Sequence, residues 1–223
     1  MITVHHLEDS RSQRVLWLLE ELGVDYEVKR YERDPKTHLA PPELKAVHPL
    51  GKSPVITDGD LVVAESGAIM EYLVDRYGGG RLIPPAGSPE RLRYTYWMHA
   101  AEGTVMPLLV MTLIFDRVES ESPWLVRPIA KAISAQVRSS YLEPNLLANL
   151  ALMQSELERS TWFAGQEMTA ADVQMSFPVE AVATRIDLAA DYPKLAEFLS
   201  RIRARPAYQR ALEKGGPYAY GPG

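Results

Sequence analysis

Three short polar clusters stand where a small molecule with charged ends could be held. Ser10-Arg11-Ser12 directly precedes an apolar helical pattern, Lys52-Ser53-Pro54 precedes a β-like run, and Glu65-Ser66 opens a second helical pattern. At a strand-to-helix turn a hydroxyl lies beside backbone N–H groups that lack intrahelical partners and at the positive end of the helix dipole, so Ser10 is placed to favour an anion. An ordinary capping serine would occupy the same position, and Ser12 is a rival donor. Glu65-Ser66 offers a carboxylate to a cation and, with the helix N-terminus, a hydroxyl to an anion; a capping serine and an acidic first turn would also serve stability alone. Lys52 adds a point cation, and a proline at a strand's first position, as Pro54 is, is harmless in itself.

What the chain lacks narrows the chemistry. It has 223 residues and no cysteine. That excludes disulfides, thiolate metal sites and a cysteine nucleophile, so any sulfur chemistry must come from a ligand. His5 and His6 are neighbours in a strand and point to opposite faces, and the other histidines lack ligand spacing, so no metal is expected. Gly78-Gly79-Gly80 follows a helical pattern instead of opening one, contrary to a nucleotide-binding loop. The formal net charge is −5, with acidic and basic residues interspersed. The one basic stretch, Arg201, Arg203, Arg205 and Arg210, is flanked by Glu197 and Glu213 and has an apolar side, so no nucleic acid partner is expected. No apolar stretch approaches the roughly 18 residues needed to cross a bilayer and the start has no signal-peptide pattern, so no membrane is expected and the location is expected to be cytoplasmic.

The elements that must position these clusters follow from periodicity. A strand at 2–6 leads into a helix whose inward positions are Val15, Leu16, Leu18, Leu19 and Leu22, stopped by Gly23; a second strand covers 26–31. Residues 34–49 read as an irregular or short-helical connection. Two β-like runs, 55–57 and 61–64, flank Asp58-Gly59-Asp60 as a hairpin, and a helix fits 66–77 with Ile69, Met70, Leu73, Val74 and Tyr77 inward. The order is βαβ, then ββα. A Pro- and Gly-rich linker at 81–88 separates domain 1–80 from a domain, 89–223, that is helical in pattern throughout. Long helical segments at 89–118 and 125–158 carry Pro107 and Pro144, which should kink or divide them. Shorter helices begin near Ala170, Lys194 and Pro206.

With these segments in place, the chain resembles the cytosolic glutathione S-transferase family over essentially its whole length. The resemblance rests on Ser10-Arg11-Ser12-Gln13-Arg14-Val15, Gly51-Lys52-Ser53-Pro54-Val55, Glu65-Ser66, and Phe163-Ala164-Gly165 through Thr169-Ala170-Ala171-Asp172-Val173. It is nearest to bacterial and fungal members with a serine at the active position. It implies a thioredoxin-like α/β N-terminal domain, an all-α C-terminal domain, a homodimer, and glutathione as co-substrate.

Site roles carry over residue by residue. Ser10, four residues before Arg14, is the expected thiolate donor, and Arg11 adds positive potential. A free thiol titrates near ~8.5, and lowering it by about 2 requires roughly 2.7 kcal/mol, the order of one hydrogen bond to a charged group aided by a helix terminus. Pro54 is expected to be cis, turning the Ser53 backbone toward the cysteinyl part of glutathione, with Lys52 and His38 near the glycyl carboxylate. Glu65 and Ser66 face the γ-glutamyl ammonium and carboxylate, and His99 or Glu102 of the second subunit is expected to approach the same ammonium. Met106, Leu109 and Val110, beside Met98 and Val105, would border a hydrophobic site for an electrophile or peroxide; Tyr218 and Tyr220 either reach over it or simply end the chain. Thr169 and Asp172 are expected to cap a helix and support folding. The rival readings are a glutathione-dependent peroxidase or disulfide reductase with little conjugation, and a non-catalytic binding protein of the same fold.

Overall fold

The computed structural model describes residues 1–221. Four strands, β1 (Ile2–Leu7), β2 (Tyr26–Tyr31), β3 (Val55–Asp58) and β4 (Leu61–Ala64), form one sheet in the order β2-β1-β3-β4. β1 pairs in parallel with β2 and antiparallel with β3, while β3 and β4 form the antiparallel hairpin. Helices α1 (Ser12–Leu22), α2 (Glu43–Val47) and α3 (Ser66–Tyr77) complete the βαβ and ββα halves. Alternation puts Ile2 and Val4 of β1 and Ile56 of β3 in the core, in one cluster with Val15, Leu16, Leu18, Leu19 and Leu22 of α1, while Val55 is buried on the opposite face. Gly23, at φ 67, ends α1 by accommodating the left-handed conformation. α3 ends at Tyr77 as expected, with Gly78 right-handed at the cap and Gly79 the first with positive φ.

Helices α4 (Pro89–Ala100), α5 (Met106–Glu121), α6 (Arg127–Val137), α7 (Glu143–Arg159), α8 (Ala170–Ala183), α9 (Leu188–Asp191), α10 (Pro193–Arg203) and α11 (Pro206–Gly215) make up the rest. Pro107 and Pro144 do not break their segments. Each sits in the first turn after a π-helical turn, Ala101–Val105 and Arg138–Leu142, so the widened turn takes up the missing donor and the run continues. The continuous run Pro89–Glu121 is 33 residues long and, by length and apolarity, could cross a bilayer, which corrects the expectation that no stretch approaches that length. Its apolarity has a use within the fold: Trp97, Met98, Ala101, Val105, Met106, Leu108 and Leu109 are buried in this protein. The basic stretch is likewise engaged internally, with Arg205 on Glu21 (2.5 Å), Arg210 on Glu20 (2.6 Å) and Arg201 donating to the Thr161 carbonyl (2.6 Å).

The fully buried Asp172 ties the start of α8 to the loop before it. Its carboxylate accepts from the N–H groups of Phe163 and Thr169, both at 2.8 Å, and from the Thr169 hydroxyl at 3.0 Å. Burial pushes this carboxyl up to about 6, against the three donors, which favour its charged form. Replacing Asp172 with Ala leaves two buried N–H groups unpartnered, and we expect it to lower unfolding stability by about 2–4 kcal/mol. Urea denaturation measures that loss, while calorimetric titration of the folded fraction should show glutathione affinity within a factor of about 3 of the unaltered protein.

Candidate active site

A cavity of about 910 Å3 opens at the end of β1 between the sheet and helices α5 and α8. Ser10, Arg11, Lys52, Ser53, Pro54, Glu65, Ser66, Met106, Leu109 and Val110 all line it. Residues from four separate stretches of the sequence thus face one space. His38 is not among them: it is exposed in the loop after β2, at φ 58, and its carbonyl accepts from Arg33. Arg33, Lys45 and His48 line the cavity instead, beside Lys52. Sequence reasoning missed them because the connection after β2, whose one helix α2 is five residues long, has no periodicity to mark which side chains turn inward.

At the start of α1, Ser10 is only 6% exposed yet reaches the cavity, whereas Ser12 is fully buried and does not. The Ser10 hydroxyl donates to the Leu7 carbonyl at 2.7 Å, accepts from the Ser12 N–H at 3.3 Å and lies 2.7 Å from the Ser12 hydroxyl. Arg11 holds the cap position of α1 and makes no side-chain capping bond, while Ser10, one residue before it, accepts from the first helical N–H and faces the cavity. The Ser53-Pro54 peptide is cis, as the resemblance implies, and the Ser53 hydroxyl donates to the His5 carbonyl at 3.0 Å.

Glu65, not Ser66, occupies the cap position of α3, and it makes no side-chain capping bond. Its φ of 75 and ψ of 127 hold a non-glycine residue in sparsely populated backbone, the kind of strain that gathers where a side chain must be aimed. Ser66, one residue inside the helix and 4% exposed, accepts from the Arg14 guanidinium at 3.0 Å. Arg14 is fully buried. Besides Ser66 it donates to the Gln174 carbonyl of α8 at 2.6 Å and to the Glu102 carboxylate, which also pairs with Arg11 at 2.9 Å. Glu102, expected to approach a second subunit's ligand, is held in this chain by two guanidinium groups. His99 is exposed on α4, outside the cavity.

The apolar wall comprises Met106, Leu109, Val110 and Leu113 of α5, Phe177 and Ala181 of α8, and Tyr220. Met98 and Val105 are core, not wall. The C-terminal segment reaches back over the cavity. The Tyr218 hydroxyl donates to Glu180 at 2.8 Å, the Ala219 N–H donates to Asp9 at 2.7 Å, and Tyr220 packs its ring 5.0 Å from that of Phe177. Glu180 is 1% exposed and also accepts from Tyr208. Burial pushes its carboxyl up to about 7, although the two tyrosine donors and the nearby cations Arg203 and Arg14 favour the charged form. Among the described residues, no group of three His, Cys, Asp or Glu is arranged to hold a metal ion.

Comparison with known proteins agrees with this geometry. The family model described as "Glutathione S-transferase, N-terminal domain" matches residues 1–75, and that described as "Glutathione S-transferase, C-terminal domain" matches residues 120–206. The chain belongs to the glutathione S-transferase family. It is 36% identical to Glutathione S-transferase 3 of Schizosaccharomyces pombe over 96% of this chain and 88% of that protein. Among solved structures, a glutathione S-transferase from Actinobacillus pleuropneumoniae superposes with a TM-score of 0.82 at 36% identity, covering 99% of this chain and 95% of that one. A sphingomonad glutathione S-transferase solved with glutathione shares the fold, with a TM-score of 0.72 at 24% identity over 96% of this chain and 98% of that one.

Within this glutathione S-transferase fold, Glu180 gives a measurable pH dependence. Its folded-state pKa of about 7 lies above the ordinary carboxyl value of about 4.3, so the stability it contributes is fully present below about 4 and is lost as pH rises through about 7. Melting temperatures recorded from pH 4.5 to 8 should therefore decline with pH more steeply in the unaltered protein than in Glu180→Gln, whose amide cannot ionise. Parallel curves would show that Glu180 does not titrate in this range.

Proposed function

We propose that the cavity binds reduced glutathione and that Ser10 holds its sulfur as a thiolate, which then attacks an electrophile or peroxide seated against the apolar wall. The observation that carries this reading is the convergence, in one cavity, of a hydroxyl at a helix start, a group of cations and a carboxylate, each matched to a different part of glutathione. Lys52, with Arg33 and Lys45 lining the same cavity, is complementary to the glycyl carboxylate. The Ser53 backbone before cis-Pro54 pairs with the cysteinyl unit in the manner of an added strand. Glu65 meets the γ-glutamyl ammonium, while Ser66 and the N-terminus of α3 meet its carboxylate.

Each group has a distinct task. Binding at both charged ends fixes the sulfur near Ser10, and holding the acceptor beside it replaces a bimolecular encounter with a positioned one. The hydroxyl and the α1 terminus lower the thiol pKa, so the nucleophile is formed at neutral pH. With no cysteine in the chain, glutathione itself is the nucleophile. We further propose a cytoplasmic homodimer, supported by exposed apolar side chains on edge strand β4 (Leu61, Val62) and on α4 (Leu92, Tyr96). The unit 1–80, the connection 81–88 and the helical unit 89–223 divide the work between glutathione and its acceptor; Pro222 and Gly223 lie outside the described residues.

Ultraviolet difference spectroscopy of bound glutathione across pH tests the assignment. Ser10→Ala should raise the apparent thiol pKa back toward about 8.5 and lower kcat/KM for a chloronitroaromatic electrophile by about 10- to 100-fold. An unchanged thiol pKa would remove Ser10 from the mechanism, and a folded protein that fails to bind a glutathione resin would favour the non-catalytic reading.

A further inference from the structure

One charged side chain stands at the apolar end of the cavity, and the groups of glutathione do not account for it. Arg185, two residues past the end of α8, lines the cavity with Thr184, Ala181 and Phe177 and with Leu113 of α5. Of the described lining residues contributed by α5, by α8 and by the stretch that follows α8, Arg185 is the only one that carries a charge. The Thr184 hydroxyl donates to the Ala181 carbonyl at 2.9 Å and is engaged within its own helix. Arg33, Lys45 and Lys52, the cations matched to the glycyl carboxylate, come from the opposite domain, between β2 and β3.

The surroundings of Arg185 hold it in place without exhausting it. Its backbone N–H donates to the Val182 carbonyl at 2.8 Å, and the C-terminal end of the α8 dipole favours a cation there. Nη1 pairs with Asp116 of α5 at 2.9 Å, a carboxylate that does not line the cavity. Asp116 is shared, because Arg138 reaches it at 2.8 Å while also pairing with Glu119 at 2.7 Å. A guanidinium carries its N–H donors in a planar fork with more than one edge, so a group held on one edge can take a second anion on another. The Arg185 side chain is 35% exposed, which leaves it reachable from the cavity.

We propose that the acceptor is an amphipathic electrophile with an apolar body and a carboxylate end, and that Arg185 is the residue that selects it. This rests on the reading of the cavity as a glutathione site whose thiolate attacks an acceptor on the apolar wall. The body lies against Met106, Leu109, Phe177 and Tyr220, and the carboxylate meets the guanidinium. An apolar wall alone would penalise an acid, since a carboxylate desolvated without a partner is costly, so a preference for the acid over its neutral analogue is the signature of Arg185. With a chloronitrobenzoate, the thiolate sulfur forms a C–S bond at the carbon bearing chlorine, and chloride leaves with the C–Cl bonding pair. The carboxylate takes no part in that exchange and serves to fix the ring.

Calorimetric titration of the protein saturated with S-methylglutathione, whose blocked sulfur cannot react, tests this with 4-chloro-3-nitrobenzoate and 4-chloro-3-nitrobenzamide. The unaltered protein should bind the acid about 5- to 10-fold more tightly than the amide, a margin that shrinks as salt is raised. Arg185→Gln should abolish the margin while changing affinity for the amide by less than about 2-fold, and Arg185→Lys should keep part of it. Asp116→Asn removes the competing carboxylate and leaves Arg138 its Glu119 partner, so it should widen the margin by about 2- to 3-fold. With reduced glutathione, the same order should appear in KM. Equal binding of acid and amide by the unaltered protein, or equal loss of both in Arg185→Gln, overturns the assignment and leaves the glutathione site standing. Failure of S-methylglutathione itself to bind overturns both readings.

Discussion

A fully buried guanidinium needs its partners more than they need it. Arg14 points from α1 into the seam between the sheet domain and the helices, where water cannot solvate it, and burial alone would pull its pKa down. The Glu102 carboxylate, the Gln174 carbonyl and the Ser66 hydroxyl compensate, and they come from the π-helical turn after α4, from α8 and from α3. Losing Glu102 would leave an uncompensated buried charge, which costs about 3–5 kcal/mol, and losing either neutral acceptor would leave a guanidinium N–H unpartnered. Arg14 thus fixes α3, α8 and the π turn relative to one another, and the first two line the cavity. Ser66 cannot drift from its place in the cavity wall without breaking that set, and Glu102 also pairs with Arg11, which lines the cavity. The π turn at Ala101–Val105 belongs to this arrangement, since it is the segment that carries Glu102.

Strain and anchoring then aim individual groups. Glu65 and Asp9 both have positive φ, at 75 and 47, and they stand beside the two helix starts that border the cavity. Asp is among the non-glycine residues that enter the left-handed region most readily, and the Asp9 carboxylate accepts from the Ala219 N–H of the returning C-terminal segment. The turn that carries Ser10 and the cover of the apolar wall are therefore linked by one hydrogen bond. A second anchor, Tyr218 on Glu180, lies on the far side of that segment, so Tyr220 is held as a wall against Phe177.

Much of this was legible in the sequence, and the limits follow from range. Alternation and helical spacing located every strand, and α1 and α3, because those signals lie within a few residues of each other. Ser10, Lys52, Ser53, Pro54, Glu65 and Ser66, which line one cavity, were marked in the sequence because each sits at or just before an element start, where type and position together carry meaning. Arg14 was passed over as a marker of register, since its meaning depends on Gln174, 160 residues away. Glu180 was unmarked for the same reason: one acid in an apolar helix becomes informative only when two tyrosines from later in the chain close over it. His38 was misplaced because the loop after β2 has no period to fix which cation turns inward. Pro107 and Pro144 were read as breaks because sequence shows the missing donor but not the wider turn that absorbs it.

On the proposed reading of Ser10, the energetics of the thiolate leave a place for indirect support. A single hydroxyl bond to a charged sulfur contributes about 1.5–3 kcal/mol, and lowering a thiol pKa by about 2 requires roughly 2.7 kcal/mol, so Ser10 has little surplus. Its proton is contested by the Leu7 carbonyl at 2.7 Å, and part of that contribution is lost whenever the hydroxyl turns inward. Distant cations at the cavity mouth help less, because they are partly exposed and solvent screens them. Behind Ser10 stand the Ser12 hydroxyl and the buried, neutral His6 imidazole. A charged imidazolium at that depth would bring its own desolvation cost into the turn, whereas the neutral ring adds no charge that must be compensated.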